Sequence, residues 1–431
     1  SPFAPVLSLL TTAQLSQMSL MNQVSYAEGE VKQAPAEKKE VYKIPEPEAV
    51  PEPEPETICG RHLKKESDLK SFPQFNDGER GSMLCKYLTQ EVWDEYKDQR
   101  DSCGVSFKTC ILSGCQNTDS GIGVYAGSPA AYDQFKKLFN PIIENYHKVK
   151  ITAGHVSNMD HTQLNCPPFS AEDASMIKST RIRVGRNLAG FPLGLVSPAI
   201  SEMNREDSDY RTFKLEGDLK GTYYALSTMT LPENQLIEDH FLFKEGDRFL
   251  EACGLNRNWP EGRGIYHNDA KTFLVWVNEE DQLRIISMQN GADIGAVFSR
   301  LARACAVIEK IAQFAHTKNL GYITAARQTS EQLARLRSHP LALPRKQPGL
   351  FKTIADQYNV QIRGIHGEHS ETADHVYDIS NKRRLGLSEK DLVQDMYNGV
   401  KAMIDSDKSM RPIAKVVAPV VEVKKEAKPL V

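Results

Sequence analysis

The chain of 431 residues has no CxxC pair, no long apolar run and no excess of either charge. Each absence excludes something. The eight cysteines (Cys59, Cys85, Cys103, Cys110, Cys115, Cys166, Cys253 and Cys305) are scattered, so no zinc site, structural metal or disulfide framework is expected, and a reducing compartment fits. No stretch approaches the roughly 20 apolar residues of a membrane-crossing helix, so the chain is not expected to be transmembrane. A net charge of −3, from 53 basic and 56 acidic residues, leaves no basic footprint for nucleic acid. What remains is globular composition, 40% hydrophobic and 25% charged, with room for two domains whose cores need no staples.

The ends differ from the middle. Residues 1–27 hold no charged side chain and lack the layout of an intact signal peptide. A start at Ser1 fits either a removed organelle-targeting segment or trimming by a cytosolic aminopeptidase. A mitochondrial address is the expectation, with the cytoplasm or a cilium as alternatives. The stretch PEPEAVPEPEPE (45–56) alternates residues without a backbone donor with charged ones, and reads as an extended spacer. Residues 411–431, rich in Val, Lys and Pro, form a second tail. Neither composition can hold itself in a fold, so both tails are expected to run along protein partners in a large assembly.

Four regions follow: a low-complexity extension over 1–65, a helical domain over 66–155, an α+β domain over 156–410 and a tail over 411–431. In the helical domain, Thr89 reads as an N-cap before QEVWDEY, and Ser128 with Pro129 as N-cap and first helical residue of a second helix. In the larger domain, TFLVWV (272–277) and LRIISM (283–288) are apolar β-type runs around a turn at 278–282. Ile294, Val297, Phe298, Leu301, Cys305, Ile308 and Ile311 recur at helical spacing, and Ser388 with Asp391 opens a last helix. The expected fold class is α+β: a small all-helical N-terminal domain, then a larger domain whose antiparallel sheet is flanked by helices.

Two groups of residues could carry chemistry. Glu279, Glu280 and Asp281 sit together at the hairpin tip, either as a solvated turn or as a carboxylate cluster held in a cleft. Arg181 and Arg183 are two apart, which in a strand puts both guanidiniums on one face. Paired arginines make a poor core and a good phosphate grip, although a salt-bridged surface strand would look the same. Arg284 and Arg363 carry the same ambiguity, and Glu368 lies in a loop punctuated by Gly364 and Gly367.

Together these residues sit in blocks that resemble the phosphagen (guanidino) kinases, and among them the arginine kinases. The blocks are GRGIYHNDAKTFLVWVNEEDQLRIISMQ (262–289), STRIRVGRNLAGFP, LEGDLKGTYYALSTMT, DHFLFKEGDRFL, QIRGIHGEH and YDISNKRRLGLSE, and the likeness runs from about 70 to 407. It implies a phosphagen kinase/glutamine synthetase-like fold and transfer of the γ-phosphoryl of MgATP to a guanidino nitrogen, with MgADP as the other nucleotide state. By the same likeness Arg181, Arg183, Arg284, Arg335 and Arg363 bind phosphates, and His240 and His339 contact the nucleotide. Glu280 and Glu368 orient the guanidinium, Glu280 acting as base. Ser120, Gly121, Ile122, Gly123 and Tyr125, in DSGIGVY, match a short loop selecting L-arginine. Asp119 and Arg248 match a pair that ties the domains together on closure. The family places no metal ligand on the protein itself.

The likeness breaks between Leu320 and Pro340. The family carries a Cys-Pro-(Ser/Thr)-Asn-Leu-Gly-Thr loop where this chain reads Ala326-Arg327-Gln328-Thr329-Ser330-Glu331-Gln332. Ala326 supplies no thiolate beside the substrate cation. The stretch TSEQLARLRS (329–338) has helix propensity, with Thr329 or Ser330 as a cap, and Arg337 adds a cation where the family has a small residue. Ile365 and His366 replace a hydroxyl residue and an arginine. Two functions are consistent with this pattern. One is an impaired kinase fold serving as an accessory subunit; the other is a working arginine kinase with a reshaped loop. Nucleotide binding without transfer lies between them.

Overall fold

The computed structural model describes residues 56–76, 81–153, 156–194, 215–239, 241–317, 320–325, 335–338, 343–363, 377–382 and 385–410, with 231–232, 335–338, 345 and 363 as backbone only. Short helices build the first lobe: α1 (Met83–Tyr87), α2 (Gln90–Tyr96), α3 (Phe107–Gln116), α4 (Ala131–Gln134) and α5 (Lys136–His147). Hydroxyl caps start three of them. Ser82 accepts from the Cys85 amide at 3.0 Å, Thr89 from Val92 at 3.2 Å and Ser106 from Thr109 at 3.1 Å. Tyr96, Phe107 and Phe135 pack as a ring triad with centroids 5.3–5.5 Å apart. Cys59 and Leu63 are buried in the same core, so the packed chain begins ahead of residue 66.

Ser128 does not cap a helix. Its hydroxyl is buried and donates to Asp101 Oδ2 at 2.6 Å, and Asp101 Oδ1 accepts the amides of Cys103 and Val105. The helix starts after Ala130 instead, with no side-chain cap. A buried hydroxyl–carboxylate bond outcompetes an exposed capping bond, because the carboxylate loses more if left alone.

The second lobe is built on one antiparallel sheet of eight strands. They are β1 (Ile177–Arg186), β2 (Gly221–Ala225), β3 (Gly264–Asn268), β4 (Phe273–Val277), β5 (Leu283–Asn290), β6 (Arg335–Ser338), β7 (Val360–Arg363) and β8 (Tyr377–Asn381). Their order is β7-β8-β6-β1-β5-β4-β3-β2. A short helix, α6 (Arg248–Ala252), comes between β2 and β3 in the chain. Alternation divides each central strand between two layers. Ile182, Val184, Phe273, Val275, Val277, Leu283 and Ile285 join the main core, shared with α7 (Ile294–Ile311) and α8 (Glu389–Ser409). Leu274, Trp276 and Ile286 point the other way into a small second cluster with Ile265 and Phe243. Along α7 the expected stripe is buried from Ile294 to Ile308, while Ile311, in the last turn, is exposed. Ser388 caps α8 through the Asp391 amide at 3.3 Å. The architecture is the expected α+β pair of lobes. None of the eight cysteines forms a disulfide.

Candidate active site

The arginines are placed by strand register. Arg181 and Arg183 share the β1 face opposite the main core and lie across from Met288 and Ile286 of β5. Arg284 falls on the same face, two positions before Ile286 and directly across from Trp276. On the other side of β1, Arg335 lies opposite Arg181 and Ser380, and Arg337 opposite Ser179 and Asp378. Arg363, at the end of β7, lies opposite Asp378. Period-two alternation thus puts six arginine positions, from four strands, on one face of one sheet.

Trp276 holds two of them. Its ring lies 5.7 Å from the Arg181 guanidinium and 5.6 Å from that of Arg284, and its Nε1 donates to the Phe241 carbonyl at 2.6 Å. The residue is almost fully buried, so it acts as a fixed platform for two guanidiniums. Trp276→Leu is therefore expected to weaken polyphosphate binding at this face about tenfold; titration calorimetry with inorganic tripolyphosphate checks it.

The acidic tip is a largely enclosed cluster, not a solvated turn: Asp281 is buried, and Glu279 and Glu280 are half-buried. Asn278 takes a left-handed conformation (φ 57°), and its amide bonds the Gln282 carbonyl at 2.9 Å, closing the β4–β5 hairpin. Arg284 pairs with Glu279 at 2.8 Å and with Glu280 at 3.1 Å. Asp281 is buried, accepting from Asn187 Nδ2 at 2.8 Å and from the Ala325 amide at 3.0 Å. A β-carbon at Gly185 would collide with its second oxygen, so only glycine admits the tip this close to β1. Burial, opposed by Arg284 and reinforced by the charges of Asp281 and Glu279, pushes the Glu280 carboxyl up to about 8. Burial raises Asp281 as well.

From the helical lobe the segment 119–125 reaches towards this tip. The carbonyls of Gly121 and Ile122 accept from the amides of Met83 and Leu84, at 3.0 and 2.9 Å, and Gly123 (φ 86°) packs directly on Gly114. The amides of Gly121, Ile122 and Gly123 donate to no described residue. Burial, then the charge of Glu280, raises the Tyr125 phenol, which places that ring in the field of the acidic tip. Asp119 pairs with Arg248 on α6, and this partner holds the Asp119 carboxyl below its usual range. Two further contacts cross between the lobes: Tyr132 donates to the Thr324 carbonyl at 2.6 Å, and the Ala126 amide to the Ala325 carbonyl at 2.8 Å.

An arginine-lined sheet face beside an acid tip is built for an anionic and a cationic substrate at once. Two domain descriptions match this chain: the N-terminal domain of the ATP:guanido phosphotransferases over residues 79–144, and their C-terminal catalytic domain over 205–410. An arginine kinase of Penaeus vannamei is 46% identical over 337 residues, which cover 76% of this chain and 93% of that protein. The chain belongs to the ATP:guanido phosphotransferase family.

Other members of the family frame that match. An arginine kinase of Anthopleura japonica is 48% identical over 336 residues, which cover 76% of this chain but only 46% of that longer protein. Among solved phosphagen kinases, a lombricine kinase superposes with a TM-score of 0.70 at 32% identity, covering 78% of this chain and 94% of that one. The substrate-free duplicated taurocyamine kinase of Schistosoma mansoni gives 0.69 at 34% identity, covering 77% and 48%.

Of the residues singled out from the sequence, Arg181, Arg183 and Arg284 share one sheet face, Glu280 pairs with Arg284, Tyr125 lies in the field of Glu280, and Asp119 pairs with Arg248. Arg335 and Arg363 take their places by backbone register; Arg335–Ser338 is a strand and not the helix that its propensity suggests, because pairing with β1 on one side and β8 on the other overrides local preference. His240, Ala326, His339 and Glu368 lie outside the described residues. Sequence reasoning did not single out Trp276, although an aromatic residue on β4 directly across from Arg284 is a signal that strand pairing alone supplies. Nor did it find Asn187 or Ala325, which fix the tip from distant parts of the chain.

Proposed function

We propose that this phosphagen kinase-family chain binds MgATP and L-arginine, moves the γ-phosphoryl between them with impaired turnover, and serves as an accessory subunit of a larger, mitochondrial assembly. One observation carries the impairment. Ala325 bonds Asp281 and Ala126, and the residue that follows it in the sequence is Ala326, where the resemblance implies a cysteine. The Pro/Glu-rich and Val/Lys/Pro-rich tails, both beyond the described residues, supply the partner-binding segments of this reading.

In the reaction, the sheet-face arginines neutralise the nucleotide's phosphates and hold the γ-phosphorus in line with the guanidino nitrogen. The open amides of 121–123 receive the amino acid's α-carboxylate. As the N–P bond forms and the bond to the ADP oxygen breaks, Glu280 takes the proton released by the guanidinium. The products are ADP and N-phospho-L-arginine. Among the described residues no three His, Cys, Asp or Glu side chains group to hold a metal, and magnesium would travel on the phosphates, as its hydrated, oxygen-seeking character favours.

The ionisation of Glu280 gives the reading a pH signature. Only the carboxylate attracts the guanidinium, so L-arginine affinity is expected to rise by up to about tenfold per pH unit and to level off above about 8. Glu280→Gln should flatten the profile. Calorimetry across pH 6–9 measures both, and a wild-type profile as flat as the variant's removes Glu280 from the guanidinium site. A second reading, a fully active arginine kinase, is favoured by the same elevated Glu280 and by the intact arginine face.

A further inference from the structure

A separate cleft of about 350 Å³ lies between α3 and α6 and is built from both lobes. The helical lobe contributes Lys64, Glu66, Arg100, Val105 and Leu112; the second lobe contributes Glu251 of α6 and Arg257. The charges are not equivalent. Glu66 is saturated: Arg100 donates to one oxygen at 2.9 Å, and Ser106 and Thr109 donate to the other. Although burial pushes the Glu66 carboxyl up, those bonds outweigh it and hold it below its ordinary range.

Lys64 and Glu251 are different. Both are exposed, and neither the Lys64 ammonium nor the Glu251 carboxylate bonds any described residue. Among the described residues, the helical-lobe side of the cleft thus carries an unpaired cation, Lys64, and the other side an unpaired anion, Glu251, beside Arg257, whose guanidinium donates to the Gly194 and Gly254 carbonyls. Val105 and Leu112 add apolar lining. A ligand that satisfies all three features carries a carboxylate, an ammonium and a short hydrocarbon side chain. The volume is at the lower end of small-molecule sites and suits one amino acid.

We propose that this cleft is an effector site for a small aliphatic α-amino acid, its carboxylate on Lys64 and its ammonium on Glu251. The bound molecule bridges the lobes. Glu251 lies on the same short helix as Arg248, and Ser113 of α3 already donates to the Phe249 carbonyl at 3.0 Å. A ligand joining Lys64 to Glu251 reinforces the contact that Asp119 and Arg248 make from the same helix, and is coupled reciprocally to whatever else closes the lobes. The site does not depend on phosphoryl transfer, since none of its residues belongs to the arginine face or the acidic tip.

The test is calorimetric titration of the full chain with L-leucine, which has no guanidinium for the acidic tip; its α-carboxylate is of the kind the amides of 121–123 receive, and the response to substitutions at Lys64 and Glu251 tells the two sites apart. Saturable binding in the millimolar range is expected. Lys64→Met and Glu251→Gln should each weaken it about tenfold, the value of one charge-assisted contact. Two fragments separate the contacts. 4-Methylpentanoate lacks the ammonium, so its weaker binding should respond to Lys64→Met and not to Glu251→Gln; 3-methylbutylamine should show the reverse. Absence of saturable leucine binding, or binding that neither substitution alters, overturns the proposal.

Discussion

Glu280→Gln is expected to lower phosphoryl transfer by about 10²–10⁴-fold while leaving ATP affinity nearly unchanged. The glutamine keeps the shape of the side chain and one acceptor oxygen, but it can neither take the guanidinium's proton nor oppose its charge. Glu280 is held where that matters, on a hairpin closed by Asn278 and 3.1 Å from Arg284. Burial, with Asp281 and Glu279 nearby, raises its carboxyl to about 8, so near neutral pH it stands close to the balance between base and acid. The arginine face should survive the substitution, because Arg284 retains Glu279 at 2.8 Å and the ring of Trp276. Phosphorus NMR measures the transfer and calorimetry the ATP affinity. A parallel fall in both would show that Glu280 acts by holding Arg284 and not as the base.

Glu389→Ala is expected to cost about 3–5 kcal/mol of unfolding free energy, the usual penalty for leaving a buried charge without its partner. Arg186 and Glu389 are both almost fully buried and lie 3.6 Å apart. Glu389 also accepts from the Ser157 hydroxyl at 2.7 Å and the Asn158 amide at 2.6 Å, which tie the segment before β1 to the start of α8. Burial pushes this carboxyl up, but Arg186 and those bonds outweigh it, so its folded value lies below its unfolded one. The sign follows. The stabilisation is present above the unfolded carboxylate value and is lost as the pH falls through the folded one. Urea unfolding at neutral pH measures the loss. A cost below about 1 kcal/mol would mean that the Tyr322 ring, 3.7 Å from the Arg186 guanidinium, is enough to hold it.

Much of this was legible from local pattern. TFLVWV and LRIISM carry the apolar alternation of paired strands, and the 294–308 stripe carries helical spacing; both survive because tertiary packing agrees with them. Arg181 and Arg183 reveal their shared face by spacing alone. Ser128 misleads because its hydroxyl has a buried partner 27 residues away, which no local rule contains. The acidic tip was ambiguous for a similar reason. What turns a solvated turn into a site is Asn187, Gly185 and Ala325 closing around Asp281, and these meet only after the sheet has formed. The place of Arg335 between Arg181 and Ser380 depends on β6 entering between β1 and β8, a pairing of strands far apart in sequence.

The most direct test of the central claim is N-phospho-L-arginine formation from MgATP and L-arginine, followed by phosphorus NMR for the wild-type chain, Glu280→Gln and Ala326→Cys. An impaired but intact site predicts slow wild-type transfer above the Glu280→Gln background, raised about tenfold or more when the thiol is restored. A wild-type rate that Ala326→Cys leaves unchanged, or transfer no faster than Glu280→Gln in both, would contradict it.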